Sequence, residues 1–241
     1  MGKLTKGCFI GLGNMLWILC VFTQVTTAEE LRFNVSAKTW YTQWTETVGG
    51  ISGEFESDFV LMYGPVVGVT YGQWFAGVAY TQGDFSFSEA VEEICACDAD
   101  FHAERRDADI VFGYKLHPYF NPLLGYKQAD IEGTIKFGSS SEQVNVSFRG
   151  PFIGVSANYP IGQSPWVVLG SLNYLLMDYE DGVVTEEAPG FSYELSGLYR
   201  FHNMPVSVTA GYKYQKFETN ETGDNVLDEF SGLLFGATYA F

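Results

Sequence analysis

Apolar and polar residues alternate along the chain from about residue 31 to the last residue. The closing stretch sets four residues on one face, Phe235, Ala237, Tyr239 and Phe241, and four on the other, Leu234, Gly236, Thr238 and Ala240. A period of two predicts β-strands whose two faces meet different surroundings. About ten such segments follow one another, near residues 31–43, 58–71, 74–87, 107–120, 123–137, 144–160, 166–180, 190–201, 205–218 and 228–241. The chain is predicted to be all-β.

The apolar faces carry many rings, and aromatic residues make up 17% of the chain. A mean hydropathy near zero fits strands of which half the residues meet lipid and half a polar interior. In a bilayer only a closed barrel satisfies the backbone of such strands. We therefore predict a closed antiparallel transmembrane barrel. Its lipid-facing band is expected to include Phe33, Phe112, Tyr114, Tyr212, Tyr214, Tyr239 and Phe241.

The connections alternate between long and short. Long polar gaps fall near residues 44–57, 88–106, 138–143, 181–189 and 219–227, and tight ones at Gly72-Gln73, Asn121-Pro122, 161–165 and 202–204. Transmembrane barrels have short periplasmic turns and longer extracellular loops. Because long gaps come first and last, both termini are expected on the periplasmic side, and the strand number is expected to be even.

Two segments change phase. Val146 and Phe148 are apolar before Gly150-Pro151, whereas Ile153 and Val155 are apolar after it, and a similar slip occurs near residues 127–130. A β-bulge would explain each slip. If one hairpin is wrongly divided, the barrel has eight or twelve strands.

The first 28 residues have the layout of a secretory signal. Lys3 and Lys6 precede an apolar run over residues 8–22, and Thr27-Ala28 suits a cleavage site. An uncleaved anchor is the alternative, although the run is shorter than the roughly 20 residues that a spanning helix needs. We predict a cleavable signal peptide over residues 1–28 and one barrel domain over residues 29–241.

The predicted mature chain is strongly acidic. Without Lys3 and Lys6 it keeps 11 of the 13 basic residues against 29 acidic ones, so nucleic acid is not an expected partner. Most surplus acid lies in the predicted loops, for example Glu89, Glu92 and Asp224. Such loops either bind divalent cations or are solvated surface that repels the surrounding anionic groups. We favour the solvated loops.

The last six residues, Gly236 to Phe241, carry a glycine, an aromatic residue three positions later and a terminal aromatic residue. With this motif and the strand pattern, the chain resembles the small outer-membrane β-barrel proteins of Gram-negative bacteria. The resemblance implies export to the cell outer membrane and surroundings of lipid and lipopolysaccharide. It also implies that the barrel-assembly machinery reads Gly236, Tyr239 and Phe241 during biogenesis. A monomer is expected.

Charged residues on the polar faces are expected to line the lumen. They are Arg32, Lys38, Asp107, Asp109, Lys115, Lys127, Arg149, Glu194, Arg200 and Lys213. Two functions fit them: an ion-selective pore lining, or ion pairs that fill a narrow interior. Small barrels enclose just enough space for side chains, so we favour the filled interior, with a small conductance at most.

One cluster combines metal-ligating residue types: Cys95, Cys97, Asp98, Asp100 and His102. A soft metal site needs three or four such ligands, which this segment supplies only if it folds tightly. A strained disulfide or partnered thiols are the alternatives. No cofactor is expected, and the Cys-x-x-Cys-His spacing of haem attachment is absent from the sequence.

Three function classes remain open at this point. The leading one is a narrow channel or a membrane-embedded scaffold that displays acidic extracellular loops, and a surface adhesin or ligand-binding barrel is the alternative. Some outer-membrane barrels are proteases or lipid hydrolases, and ten strands match the omptin protease architecture. Only His102 of the three histidines falls outside the periplasmic turns, and no serine stands at a recognisable spacing from it. An enzyme is therefore not expected.

Overall fold

The computed structural model describes residues 30–49, 54–87, 99–137, 140–221 and 224–241. Within these ranges the chain forms eleven β-strands. Each pairs antiparallel with its neighbours, and β11 pairs back onto β1 from Asn34↔Ala240 to Val48↔Val226, which closes the sheet. The strands are β1 Leu31–Val48, β2 Glu54–Glu56, β3 Val60–Tyr71, β4 Trp74–Ser86, β5 Ala99–Tyr114, β6 Phe120–Phe137, β7 Ser140–Pro160, β8 Trp166–Glu180, β9 Thr185–Arg200, β10 Val206–Glu221 and β11 Asp224–Ala240.

The short strand β2 continues β3 along the edge of β1. The pairs Thr45↔Glu56 and Thr42↔Val60 are three residues apart on β1 and four apart on the partner, so one extra residue lies between them. At this break the Ser57 hydroxyl accepts a hydrogen bond from the Trp44 N–H at 2.9 Å. Since β2 and β3 act as one strand, the barrel has ten strands, as the sequence predicts.

The two ends of the barrel differ in their connections. At one end, the turn end, the connections are residues 72–73, 115–119, 161–165 and 201–205, and both Leu31 and Ala240 lie there. Gly72 has a φ of +58°, a conformation that suits glycine in a two-residue hairpin turn. At the opposite end, the loop end, the connections include residues 49–53, between β1 and β2, and 87–98, between β4 and β5.

Several predicted boundaries are wrong. The tight turn expected at Asn121-Pro122 lies instead at residues 115–119, where an isolated bridge joins His117 to Phe120, and Asn121 and Pro122 belong to β6. At the loop end only residues 138–139 separate β6 from β7, and only residues 222–223 separate β10 from β11. The polar segments predicted as long loops there are largely strand. The strands continue beyond the stretch in which their outward-pointing residues are apolar.

In the half of the barrel near the turn end, apolar side chains point outward. Phe33, Phe112 and Tyr239 are each about half exposed on the outer surface. On β10 the outward apolar positions run from Val206 to Tyr214. At about 3.3 Å per residue and a tilt near 40°, that stretch is roughly 20 Å tall, close to the apolar band of a membrane barrel. No helix in the described part of the chain is long and apolar enough to span a membrane.

In the half near the loop end the polarity is reversed. Arg106, Asp130 and Asp178 now point outward, and aromatic side chains such as Phe148 and Phe230 are buried inside. Charged residues pair on this outer surface: Arg106 with Glu104 at 2.7 Å and with Glu132 at 3.0 Å. The outer surface of this half is therefore suited to water.

Both predicted bulges are wrong. The pairing of β6 with β7 runs without a slip from Phe120↔Ala157 to Phe137↔Ser140, through Gly150, Pro151 and residues 127–130. The apparent change of phase arises because the strands keep their facing while their surroundings change. Apolar residues point to the outer surface in one half and to the barrel interior in the other.

Candidate functional site: the barrel interior

A buried ion-pair network lies at mid-height inside the barrel. The Arg105 guanidinium donates from Nε to Asp107 Oδ1 at 2.7 Å and from Nη2 to Asp107 Oδ2 at 2.9 Å, a two-pronged contact. Arg105 Nη2 also donates to Gln215 Oε1 at 3.2 Å across the lumen. Lys127 Nζ donates to Asp107 Oδ2 at 2.8 Å and to Asp109 Oδ1 at 3.0 Å. The network thereby joins β5, β6 and β10.

Aromatic rings cover the same arginine. Its guanidinium carbon lies 3.7 Å from the centroid of the Phe230 ring and 5.8 Å from that of Phe217. Arginine on the face of an aromatic ring is attracted by the ring quadrupole, more strongly when water is excluded. Arg105 is fully buried. The ion pairs and the ring contacts therefore meet at the Arg105 guanidinium.

These residues belong to a continuous buried layer, here called the middle layer. No member is more than 2% exposed. Its members come from seven strands: Trp40, Thr42, Met62, Arg105, Ala129, Met177, Phe217 and Phe230. Because they meet around the whole circumference, the middle layer fills the lumen at this height.

A cavity of about 340 Å³, lined by apolar residues and by several charged ones, lies on the turn-end side of the middle layer. Lys38 and Glu194 form an ion pair of 2.9 Å in its wall. The Lys213 ammonium, which also lines it, lies 4.1 Å from the Trp40 ring centroid. On the neighbouring strand β11, the residue paired with Lys213 is Gly232, which has no side chain to stand beside the ammonium group.

A second cavity of about 370 Å³ lies on the loop-end side. Three of its lining residues, Trp44, Thr219 and Asp228, each lie two residues beyond a member of the middle layer on β1, β10 and β11, respectively. Its wall is mostly aromatic and aliphatic. It is lined by Trp44, Glu46, Phe55, Phe87, Phe101, Ile131, Ile135, Val144, Val146, Phe148, Tyr179, Thr219, Val226 and Asp228.

The rings of this loop-end cavity are held by one another. The Trp44 centroid lies 5.0 Å from that of Phe87 and 5.2 Å from that of Phe230, and Phe87 lies 5.3 Å from Phe101. Trp44 Nε1 donates to Asp228 Oδ1 at 2.8 Å, which fixes the indole orientation. A concave apolar wall with a few convergent polar groups is the usual form of a small-molecule site.

Six of the ten predicted lumen charges point inside the barrel: Lys38, Asp107, Asp109, Lys127, Glu194 and Lys213. The prediction for Arg149 is wrong. It alternates with the buried Phe148 and Gly150, so it points outward, where it pairs with Glu180. Three others, Arg32, Lys115 and Arg200, are exposed at the turn end and line no closed part of the lumen.

The sequence reasoning missed Arg105 because the fourth segment was expected to start at residue 107. The signal was present, since Arg105 has the same parity as Asp107 and Asp109. Gln215 was missed as well, because the predicted lumen residues are all charged and a glutamine is not. The adjacent Arg106 points to the outer surface.

The metal-like cluster falls mostly outside the described residues. Cys95, Cys97 and Asp98 lie there, and the side chain of Asp100 is likewise not described. His102 is exposed on β5 and points away from the lumen, because it alternates with the buried Ala103. Among the side chains that the structure describes, no group of three His, Cys, Asp or Glu residues stands close enough to hold a metal ion.

The terminal motif lies at the seam of the barrel. Gly236 pairs with Lys38 and Tyr239 with Val35 in the β1–β11 ladder, and the Phe241 N–H donates to the Phe33 carbonyl at 2.8 Å. The rings of Tyr239 and Phe241 contact each other edge to face on the outer surface. These residues are positioned to close the barrel.

Comparison with known proteins finds relatives by shape alone. No protein-family model and no curated protein matches the chain. Among solved structures, the outer membrane protease OmpT from Escherichia coli is similar at a TM-score of 0.57 with 12% identity, over 92% of this chain and 100% of that one.

Two other barrels match less closely. The translocator domain of the autotransporter NalP from Neisseria meningitidis has a TM-score of 0.43 with 12% identity, over 92% of this chain and 91% of that one. Ail, the attachment invasion locus protein of Yersinia pestis, has a TM-score of 0.40 with 13% identity, over 86% and 98%. The closed ten-stranded sheet, its apolar outer band and the likeness to OmpT together show that the chain has the fold of an outer-membrane β-barrel.

Proposed function

We propose that the protein resides in the outer membrane as a closed barrel that binds a small ligand at its extracellular end, and that it does not act as a channel. The middle layer carries this proposal. A pore needs a continuous path for water, whereas Arg105, Phe217 and Phe230 are all fully buried at one height of the lumen. Open aqueous channels belong to barrels of about sixteen strands, not ten.

The orientation follows from the two ends. Short turns are typical of the periplasmic side, so the turn end would face the periplasm and the loop end the medium. The charged outer surface of the loop half, with the Arg106–Glu132 pair at 3.0 Å, would then stand above the lipid. Lipid and lipopolysaccharide would surround the apolar band below it. The barrel would be a monomer. The barrel-assembly machinery would recognise Phe241 when the barrel is inserted.

The extramembrane position gives the loop-end cavity its proposed role. Spanning the bilayer does not require this aromatic core, because the core lies beyond the end of the apolar outer band. The cavity volume of about 370 Å³ lies in the range of small-molecule sites. Its rings are held rigidly by mutual contact, so little ordering is needed when a ligand enters.

A planar-bilayer recording tests the closed lumen. We expect the purified wild-type protein to produce no conductance steps, while an established porin in the same membrane conducts. Reproducible steps from the folded wild-type protein would overturn the closed-lumen proposal.

A titration with the neutral hydrocarbon neopentylbenzene tests the binding role. We expect saturable binding that Val146→Trp abolishes by filling the cavity, since Val146 lines it. Ser147→Trp is the matched control, because Ser147 is the next residue on β7 and points to the opposite face. Equal binding by both variants, or none by the wild type, would contradict the proposal.

A further inference from the structure

The charge of the loop-end cavity sets it apart from an ordinary apolar pocket. Two carboxylates, Glu46 and Asp228, are part of its wall. They are direct partners in the β1–β11 ladder, and both occupy inward positions. Because both carboxylates belong to one side of the cavity, a positive group that enters it is attracted by two negative charges. The wall therefore combines aromatic rings with concentrated negative charge.

We propose that the loop-end cavity selects organic cations with an apolar body, such as aryl or alkyl ammonium compounds. The inference rests on the proposed binding role and adds the chemical class of the ligand. Aromatic faces attract a cation through the ring quadrupole, and quaternary ammonium ligands are commonly recognised in cages of such rings. Trp44, Phe87 and Phe101 supply three mutually packed rings, with centroids 5.0 to 6.3 Å apart.

The geometry places charge and rings together. Trp44 Nε1 donates to Asp228 Oδ1 at 2.8 Å, so the indole and the carboxylate form one unit. Glu46 lies two residues beyond Trp44 on the same inward face of β1. A ligand whose cationic group is near these carboxylates would lay its apolar body against Ile131, Val146 and Phe148, which line the same cavity.

The remainder of the cavity wall favours the same occupant. Its other described members are aromatic, aliphatic or, at Thr219, a hydroxyl, so among the described residues of the wall the charged side chains are both acidic. An anionic ligand would have to approach both carboxylates in a site of low polarity, which is costly. At long range, the chain's net charge of −16 would attract cations and repel anions.

A pair of isosteric probes tests the proposal. Calorimetric titrations with benzyltrimethylammonium and with the neutral neopentylbenzene use the full barrel in neutral lipid nanodiscs. We expect the cation to bind at least about tenfold more tightly, the size of one favourable cation–π contact. We also expect added salt to lower the affinity for the cation and not the affinity for neopentylbenzene, because screening acts on charge.

Two variants assign the preference to its residues. The double substitution Glu46→Gln with Asp228→Asn should remove the preference for the cation and leave the binding of neopentylbenzene unchanged. The Asn side chain keeps an oxygen acceptor for Trp44 Nε1, and heat-modifiability on gels checks that the barrel is folded. Glu229→Gln is the matched control, because Glu229 is adjacent to Asp228 in sequence but points outward to Tyr214. It should leave both affinities unchanged.

The outcomes separate this inference from the proposed function. If both probes bind equally well to the wild type, the cavity binds ligands but does not select cations, and only the inference is overturned. A cation preference that survives the double substitution also overturns it. If neither probe binds, both the binding role and its cation selectivity fail, while the bilayer recording still decides whether the lumen is closed.

Discussion

The two halves of the barrel are made from the same strands but are opposite in polarity. On β11, Phe235 and Tyr239 point outward in the turn half with Gly236 and Thr238 inside, whereas in the loop half Glu229 points outward and Phe230 is buried. Facing and register stay constant along the strand, and only the surroundings change. A β-strand thus serves first as a membrane element and then, a few residues on, as the wall of a water-soluble domain.

The largest effect is expected when the positive charge of Arg105, at the boundary between the two halves, is removed. Arg105→Ala leaves Asp107 buried without its two-pronged partner, and breaking a buried pair costs about 3 to 5 kcal/mol. Urea unfolding in lipid vesicles measures the change in the free energy of unfolding. Arg106→Ala is the control: its exposed pairs with Glu104 and Glu132 contribute about 1 kcal/mol or less. Equal losses in the two variants would mean that the lumen network is solvated.

A second test compares two phenylalanines of β11. Phe230 is fully buried among Trp44, Phe85 and Phe217, and its replacement by alanine should cost about 3 kcal/mol or more. Phe235 is 45% exposed on the outer band, so Phe235→Ala leaves no internal cavity and should cost less. The same vesicle unfolding assay measures both. A larger loss at Phe235 would contradict the placement of the core in the loop half.

A third test introduces one charge on the outer face of β8 at two heights. Leu172 is 55% exposed within the apolar band, and Leu172→Lys should cost about 2 to 4 kcal/mol, as expected near the bilayer midplane. Asp178 is on the same face in the loop half, and Asp178→Lys should change stability by about 1 kcal/mol or less. Similar costs at both positions would shift the boundary between lipid and water and count against the reversal.

The smallest effect is expected at the loop-end connection between β8 and β9. Asp181 Oδ1 accepts hydrogen bonds from the N–H groups of Val184 at 2.7 Å and Val183 at 2.8 Å, and these lower the pKa of its carboxyl group. Because the pKa is lower in the folded chain, the contribution to stability is present above the ordinary aspartate pKa of about 3.9 and is lost as the pH falls through the folded value.

Amide hydrogen exchange at Val183 and Val184 measures this local effect between pH 3 and pH 6, after correction for the intrinsic rate. Asp181→Asn should keep protection that no longer depends on pH, since the amide oxygen accepts the same bonds without a charge. Identical pH profiles in the wild type and the variant would show that the carboxylate does not stabilise the turn.

Period-two alternation was sufficient to predict the closed all-β fold, the ten strands and the side-by-side positions of Asp107 and Asp109. It failed where the strands leave the apolar band. There, treating every apolar face as lipid-facing produced two false bulges and placed Arg149 inside. A strand's own sequence shows that its faces differ, but it does not show which face is inside.

The loop-end cavity was harder to foresee. Glu46 and Asp228 are neighbours only because β11 closes onto β1 in a particular register. A shift of one residue would turn Asp228 outward, since neighbouring residues face opposite sides. Arg105 was within reach of the sequence, since its parity matches that of Asp107, but its ring partner Phe230 lies far along the chain and is known only from the packing.

The uninterrupted pairing of β6 and β7 has a consequence for bilayers of different thickness. Since no bulge interrupts this pair at any level, the backbone of β6 and β7 does not fix how deeply the barrel is immersed. The depth of immersion depends on the outward-pointing side chains in one or two rows around the edge of the apolar band. Substitutions in those rows would match the protein to a thinner or thicker bilayer without refolding a hairpin. Hydrophobic mismatch, which costs fractions of a kcal/mol per Å, would then be relieved by vertical sliding of a rigid cylinder.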